Sequence, residues 1–297
     1  MLVFVTGASG FVGREVVKEL ITAGHQVLGL ARSKESADRL TALGAAVHRG
    51  DLEDHESLQH AVNMAEGVIH AGFIHEFTRF AEVCEIDRRA IEAMGDALQG
   101  TDKPFIITSG TAIVRPGTLI TETMRAPESD AFPRRSEQAA DAVASRGVRA
   151  AVLRLPPSVH GVEDTHGFIP MLIRIAREKG HAAYIDAGQN AWNAVHRLDA
   201  ARLYRLALEK ATTGARYHAV AEEAIPFKRI AEVIGEQLGL PVVSVPADKA
   251  ADTFGWFTHF AGIDAKASSA LTRSALHWEP SHSGLLEDMQ NGVYKPV

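Results

Sequence analysis

Three glycines near the start of the chain, Gly7, Gly10 and Gly13, follow one another at a spacing of three residues. They stand between a short apolar run at residues 2–5 and an amphipathic helical pattern at about residues 11–23. In such a turn the first glycine lets the chain bend sharply, the second leaves room for a pyrophosphate, and the third lets the helix approach the sheet. Free N–H groups at the start of the helix attract phosphate. The sequence therefore predicts a dinucleotide site formed by Gly7, Ser9, Gly10, Phe11, Val12 and Gly13.

Two cations and a hydroxyl, Arg32, Ser33 and Lys34, directly follow a second predicted strand at residues 26–31. Sites specific for NAD place an acidic residue here, which binds the ribose hydroxyls. Cations at the start of a helix oppose its dipole by ~0.3–1 kcal/mol. A 2′-phosphate would explain their presence, so the sequence favours NADP(H) as cofactor, with a solvated loop as the alternative.

Two hydroxyl residues, Ser109 and Thr111, follow a predicted fifth strand at residues 104–108. At the carboxyl edge of a sheet, a hydroxyl can donate a hydrogen bond to a carbonyl oxygen or to an oxyanion that develops from it. Ordinary turn chemistry is the alternative.

One carboxylate, Asp87, lies within a predicted helix at residues 78–98, on the same face as several apolar residues. A carboxylate in such surroundings is costly without partners. It is either a structural hydrogen-bonding group or a proton-handling group. The histidines form no pair with metal-ligand spacing, so we predict no metal site; His75 and His160 are candidates to line a pocket.

Strands alternate with helices through the first half of the chain, which predicts a parallel, doubly wound α/β sheet of the Rossmann type. Asp54 is the expected N-cap of the helix at residues 54–64. We assign residues 1–157 and 196–220 to an NADP-binding domain. Residues 158–195 and 221–297 form a smaller, mostly C-terminal substrate lobe, in which residues 184–193 are expected to be a loop with short extended flanks. The predicted strands are residues 2–5, 26–31, 45–48, 68–71, 104–108, 148–155 and 216–220.

Composition limits the classes of function. The 297 residues carry 31 basic and 37 acidic side chains, a net charge of −6, which argues against nucleic-acid and anionic-membrane surfaces. The single cysteine, Cys84, excludes an intramolecular disulfide. We expect no cleavable signal peptide and no membrane helix. The expectation is a cytoplasmic monomer or homodimer acting on a small molecule.

Five segments in chain order resemble the short-chain dehydrogenase/reductase superfamily, of the extended and atypical types, also called the NAD-dependent epimerase/dehydratase family. They are residues 6–13 (TGASGFVG), 50–52 (GDL), 105–109 (FIITS), 154–161 (RLPPSVHG) and 193–199 (NAVHRLD). The resemblance implies that residues 50–52 lie on the adenine and that residues 154–161 pack beside the nicotinamide. Through it the cofactor site extends to Asp51, Leu52, Ala71, Gly72, Pro156, Pro157 and Ser158.

The departures from the family pattern concern catalysis. The family's proton donor is the Tyr of a Tyr-x-x-x-Lys pair, but here Pro133 aligns with the Tyr and Glu137 with the Lys. The usual Ser/Thr aligns with Gly110, and Asp87 replaces an Asn. By resemblance Asp87 and Glu137 lie close together. Either a cation such as Arg134 or Arg135 keeps both carboxylates charged, or one of them has a raised pKa and serves as an acid.

The sequence thus predicts an NADP-dependent oxidoreductase that transfers a hydride to or from a small or medium-sized carbonyl or alcohol. Ser109 or Thr111 would polarise the substrate oxygen, and Asp87 would take part in supplying the proton. Two alternatives stay open. One is a catalytically silent NADP-binding sensor or scaffold, and the other is a sugar epimerase or dehydratase.

Overall fold

The computed structural model describes residues 1–114, 117–128 and 133–294. A seven-stranded parallel sheet has the order β10-β6-β5-β4-β1-β2-β3. Two small sheets, β11-β9-β7 and β12-β8, belong to the smaller lobe. The strands are β1 Leu2–Thr6, β2 Gln26–Ala31, β3 Ala46–Arg49, β4 Gly67–His70, β5 Phe105–Gly110, β6 Ala150–Leu155, β7 Ser158–His160, β8 Ala182–Ile185, β9 Ala191–His196, β10 Arg216–His218, β11 Glu222–Pro226 and β12 Val242–Val245.

The helices of the first half and the helix at residues 197–210 cover the large sheet, and most of the other helices of the second half build the smaller lobe. Three-residue 3₁₀ turns at Phe77–Arg79, Thr111–Ile113, Ala247–Lys249 and Gly255–Phe257 connect some of them. The α-helices are α1 Gly13–Thr22, α2 Lys34–Ala42, α3 His55–Met64, α4 Phe80–Leu98, α5 Ser136–Ser145, α6 Phe168–Lys179, α7 Arg197–Lys210, α8 Phe227–Leu238, α9 Ala250–Phe254, α10 Thr258–Gly262, α11 Ala270–Leu276 and α12 Leu285–Gln290.

The predicted doubly wound α/β architecture is confirmed, including the return of residues 216–218 to the large sheet beside β6. The predicted N-cap is confirmed as well, because Asp54 Oδ1 accepts a hydrogen bond from the Ser57 amide at 3.0 Å. Several boundaries differ from the prediction by one or two residues. The first helix begins at Gly13 and not at about residue 11, β5 continues to Gly110, and β6 begins at Ala150 and not at residue 148. The loop within residues 184–193 is flanked by the extended segments β8 and β9, as predicted.

Alternation along β1 explains why the large sheet has a core on each face. Val3 and Val5 belong to an apolar cluster with α1 and α7, whereas Phe4 belongs to a second cluster with α3, α4 and α5. Successive side chains of a strand point to opposite faces, so β1 must be apolar throughout. A third cluster fills the smaller lobe around Trp192.

The chain returns from the smaller lobe to the large sheet near its end. Trp278 is fully buried in the cluster that contains Val3 and Val5. Its indole N–H donates to the carbonyl oxygen of Asp199 in α7 at 3.0 Å. In the described part of the chain, no helix is long and apolar enough to cross a membrane.

Candidate functional site

The glycine turn after β1 has the geometry that a pyrophosphate requires. Gly7 has a φ of +66°, in the left-handed region that glycine adopts without strain. A Cβ on Gly13 would lie 2.0 Å from the Gly7 carbonyl oxygen, so only glycine lets α1 begin here. A Cβ on Gly10 would meet only that same oxygen, at 3.2 Å, and otherwise would project into open space. Ser9, Phe11 and Val12 complete the turn before α1.

The end of β4 is joined tightly to this turn. A Cβ on Gly7 would lie 2.6 Å from the carbonyl oxygen of Ala71. The Gly72 amide donates to Thr6 Oγ1 at 3.0 Å, and that hydroxyl donates to His70 Nδ1 at 2.8 Å. The order of the large sheet reverses between β1 and β4, so these residues line the crevice where ligands of such sheets bind.

The predicted cations lie at the carboxyl end of β2, and the fold brings a further cation, Arg49, beside them. Arg32 is exposed. Arg49, at the end of the neighbouring β3, donates to the Ser33 carbonyl oxygen at 2.6 Å. Among the described residues neither arginine forms an ion pair, whereas Lys34 pairs with Asp38 at 2.6 Å. Ser33 Oγ caps α2 by accepting from the Ser36 amide at 3.1 Å.

The remaining predicted cofactor residues lie at the same edge of the sheet. Asp51 and Leu52 follow β3, and one Asp51 oxygen accepts the Glu53 and Asp54 amides at 2.9 and 3.1 Å. Pro156 and Pro157 separate β6 from β7. The Oγ atom of Ser158 is buried and has no hydrogen-bond partner among the described residues.

These features fit a bound dinucleotide, because they provide open space, a hydroxyl without a hydrogen-bond partner and positive charges without an ion pair among the described residues. The turn leaves space above Gly10. Ser158 presents a buried hydroxyl. The β2–β3 edge presents two arginines, Arg32 and Arg49, whose charges no acid of the described chain neutralises. The residues present could therefore hold NAD(P) across the crevice.

Asp87 is buried and makes two hydrogen bonds. Its Oδ1 accepts from His70 Nε2 at 3.1 Å, and its Oδ2 accepts from the Ser136 hydroxyl at 2.5 Å. Burial alone would raise the pKa of Asp87, but the His70 hydrogen bond, the charge of Arg134 and the Ser136 hydrogen bond together hold it below its usual range. Asp87 is therefore charged at neutral pH and positions its neighbours.

Glu137 is charged as well. Arg154 donates to its two oxygens at 2.8 and 2.7 Å, Arg216 donates at 3.2 Å, and the Ser109 hydroxyl donates at 2.9 Å. Burial raises its pKa, but Arg154, Ser109 and Arg216 more than offset this effect and lower it. Of the two alternatives, a carboxyl with a raised pKa is therefore not the one that the structure favours.

The structure agrees with the other alternative, in which cations keep both Asp87 and Glu137 charged. Glu137, however, is paired with Arg154 and Arg216, which lie far from it in sequence. Arg134 acts on Asp87 instead.

The two predicted substrate hydroxyls have partners within the protein. Ser109 lies in β5 and donates to Glu137, and Thr111 donates to Asn193 Oδ1 at 3.1 Å. Both side chains are buried. Tyr204, which could have replaced the missing tyrosine, is fully buried and shares a hydrogen bond of 2.7 Å with Thr108 Oγ1. Burial raises its pKa, so it is a poor acid.

The candidate histidines differ in their surroundings. His160 is buried, with Nδ1 2.6 Å from Asp288 Oδ2, which ties β7 to α12. His75 is exposed in the loop after β4, with its ring centre 5.6 Å from that of Phe73. Of the two, His75 lies on the side of the β4 crevice.

Comparisons with known proteins agree with this geometry. The NAD dependent epimerase/dehydratase family matches residues 3–221. An uncharacterised protein of Schizosaccharomyces pombe is 48% identical over 295 residues, which cover 99% of this chain and 100% of that protein. The sterol-4-alpha-carboxylate 3-dehydrogenase (decarboxylating) of Dictyostelium discoideum is 27% identical over 246 residues, covering 76% of this chain and 73% of that one. A 4-hydroxy-2-methyl-3-oxo-4-farnesyl-3,4-dihydroquinoline-1-oxide ketoreductase of Stigmatella aurantiaca is 25% identical over 255 residues, covering 81% and 74%.

Solved structures share the fold at lower identity. The Thermus thermophilus UDP-glucose 4-epimerase, in complex with NAD, has a TM-score of 0.76 and 19% identity, with coverage of 99% of this chain and 98% of that one. A Streptomyces venezuelae dTDP-glucose 4,6-dehydratase, also with NAD bound, has a TM-score of 0.77 and 16% identity, covering 99% and 96%. With its glycine turn at the switch point, its parallel sheet and a family match over most of its length, the chain belongs to the NAD-dependent epimerase/dehydratase family of short-chain dehydrogenases/reductases.

Proposed function

We propose that this protein is an NADP-dependent oxidoreductase that transfers a hydride to or from a small or medium-sized carbonyl or alcohol. Family membership and the dinucleotide crevice support the general class. The names of the relatives from Dictyostelium discoideum and Stigmatella aurantiaca, a dehydrogenase and a ketoreductase, point to the same kind of reaction.

The observation that carries the choice of NADP is the pair of arginines at the β2–β3 edge. Arg32 follows β2 and Arg49 ends β3, in register with Ala31. Both are exposed, and neither is neutralised by an acid of the described chain. An adenosine ribose at this edge would bring its 2′ position beside them, and a guanidinium binds phosphate with several N–H donors at once. Lys34 contributes less, because Asp38 already holds it.

The chain's own residues then bind and orient the ligand. When bound, NADP(H) supplies or accepts the hydride. The α1 N-terminus and the space above Gly10 would hold the pyrophosphate. The Ser158 hydroxyl would donate to, or accept from, a polar group at the nicotinamide end. Asp87 holds Ser136 and His70 in place behind the crevice.

Cofactor choice can be tested with Arg32→Ala and Arg49→Ala. A charge-assisted hydrogen bond contributes ~1.5–3 kcal/mol, so each effective contact is worth about tenfold or more in NADPH affinity. We expect weaker NADPH binding with nearly unchanged NADH binding, measured by titration calorimetry. Arg39→Ala is the matched control, because Arg39 is an exposed arginine of α2 that pairs with Glu35. Equal losses for both cofactors would contradict a role in reading the 2′-phosphate.

Activity can be tested by screening carbonyl compounds for loss of NADPH absorbance, alongside the titration. The rival function, a catalytically silent NADP-binding sensor, is favoured by one observation: the Ser109 proton is already donated to Glu137. Tight NADPH binding without turnover across a broad panel would support that rival. Epimerisation or dehydration of a sugar ranks lower, because that chemistry depends on the same missing tyrosine.

A further inference from the structure

Arg134 stands next to the position that aligns with the missing tyrosine. It precedes α5, one residue after the position aligned with that tyrosine. Its Nε donates to Ser136 Oγ at 2.9 Å and its Nη2 donates to the carbonyl oxygen of Thr108 at 3.2 Å. Its guanidinium carbon lies 4.4 Å from the centre of the Phe73 ring. Three separate segments, at the ends of β4 and β5 and the start of α5, therefore fix this cation at the crevice.

A buried carboxylate supports the cation from behind. The Ser136 hydroxyl donates a hydrogen bond to Asp87 Oδ2, because a charged carboxylate can only accept. The same hydroxyl oxygen accepts a hydrogen bond from Arg134 Nε. The resulting chain, Arg134 to Ser136 to Asp87, orients the guanidinium by charge-assisted hydrogen bonds.

Within the described part of the chain, Arg134 keeps N–H donors that no acceptor uses, unlike the other candidates. A guanidinium has five N–H groups, and hydrogen bonds to described residues use only two of them. Its side chain is partly exposed. The protons of Ser109 and Thr111, by contrast, are donated to Glu137 and Asn193.

We propose that the Arg134 guanidinium binds the substrate oxygen and stabilises the negative charge that develops on it. This inference rests on the proposed function. In the reduction, the carbonyl carbon accepts a hydride from the reduced nicotinamide, and the π electron pair of the C=O bond moves to oxygen. The resulting alkoxide is held by Arg134 and takes a proton from a water molecule, which leaves hydroxide, the alcohol and the oxidised cofactor. Arginine stays protonated at neutral pH, so it acts by charge and not as the acid.

The first test measures binding, without turnover. Benzoate is a planar carboxylate, and its charged oxygens resemble the developing oxyanion. Its affinity for the protein saturated with NADP⁺ is measured by calorimetry for the wild type, Arg134→Ala, Arg134→Lys and the control Arg125→Ala. Arg125 is an exposed arginine that pairs with Asp141 of α5. We expect Arg134→Ala to lose about tenfold or more in benzoate affinity, Arg134→Lys to lose less, and the control to lose nothing.

The possible results distinguish a failure of the proposed role of Arg134 from a failure of the proposed function. Unchanged benzoate affinity in Arg134→Ala, or no benzoate binding to the loaded wild type, overturns the role of Arg134. Failure of the wild type to bind NADP⁺ overturns the proposed function instead. The NADP⁺ affinity and the melting temperature of each variant show whether that variant is folded. If Arg134→Ala is not folded, the comparison of the wild type with Arg134→Lys still tests the proposal.

The second test uses turnover once a substrate is found. Loss of an oxyanion-stabilising donor costs ~10²–10³ in kcat, and added guanidinium should partly restore Arg134→Ala. Since water supplies the proton, kcat should be nearly constant from about pH 6 to 9, whereas a side-chain acid that titrates in this range would make kcat fall with one ionisation. No rescue by guanidinium, together with a pH profile that falls with one ionisation, would assign the role to another group.

Discussion

Replacing Glu137 with glutamine tests the buried ionic network that stands where the family's lysine would be. The Glu137 carboxylate is 2% exposed and receives hydrogen bonds from Arg154, which is fully buried, and Arg216, which is 3% exposed. Glutamine has nearly the same shape and keeps one oxygen for Ser109, but it removes the negative charge. The positive charges of the buried Arg154 and Arg216 side chains then lose the carboxylate that neutralises them.

The expected loss follows from that geometry. Removing one partner of a buried ion pair costs about 3–5 kcal/mol, because the other charge stays buried and unpaired. We expect Glu137→Gln to lower the free energy of unfolding at pH 7 by this amount, measured by urea denaturation. Asp141→Asn is the control. Asp141 also binds Arg216, at 2.7 Å, but is 46% exposed, so its loss should stay below ~1 kcal/mol.

The pH dependence distinguishes charge from shape. Because folding lowers the pKa of Glu137, its stabilising contribution is complete above the unfolded value of about 4.3 and is lost as pH falls through the folded value. The difference between the wild type and Glu137→Gln should therefore be constant from pH 7 down to about 5 and shrink below about 4. A loss no larger than that of Asp141→Asn, or one that does not change with pH, would refute this reasoning.

Three further variants test the site. Gly10→Val should abolish NADPH binding with little change in melting temperature, because its side chain enters the pyrophosphate space; normal calorimetric binding would contradict the assignment. Gly13→Ala should lower both the melting temperature and NADPH affinity, by about 1–3 kcal/mol of stability, since its Cβ would lie 2.0 Å from the Gly7 carbonyl oxygen; an unchanged melting curve would show that the turn relaxes. Asp87→Asn should keep NADPH binding but reduce turnover by ~10²-fold, the scale of a misplaced catalytic group; full turnover would leave Asp87 a purely structural residue.

The sequence was most informative where the chemistry is local. The glycine turn, its strand and its helix lie within the first part of the chain. The steric role of each glycine follows from its residue type and its place in the sequence. Ser33 shows the limit of local reasoning. It was predicted to bind phosphate, which stays a prediction, and the structure adds a second role that was not predicted: its Oγ caps α2, as is common for a serine before a helix.

Residues brought together by the fold were missed. Arg49 comes beside Ser33 only because β3 pairs with β2. The signal was present, since Arg49 directly follows predicted strand three, which a doubly wound sheet places next to strand two. Glu137 meets Arg216 across 79 residues, and no local pattern predicts such a contact.

The position of Trp278 has a consequence for how the chain folds as it is synthesised. The cluster behind β1 is completed only when this indole arrives, because Trp278 is the last buried residue of that cluster in sequence. Domains generally fold as units as they leave the ribosome, and exposed apolar surface in partly folded chains promotes aggregation. The nucleotide-binding half therefore cannot mature as an independent N-terminal unit. It keeps an open apolar patch on α7 until Trp278 has been translated, so a chain truncated before residue 278 should aggregate more than the full chain.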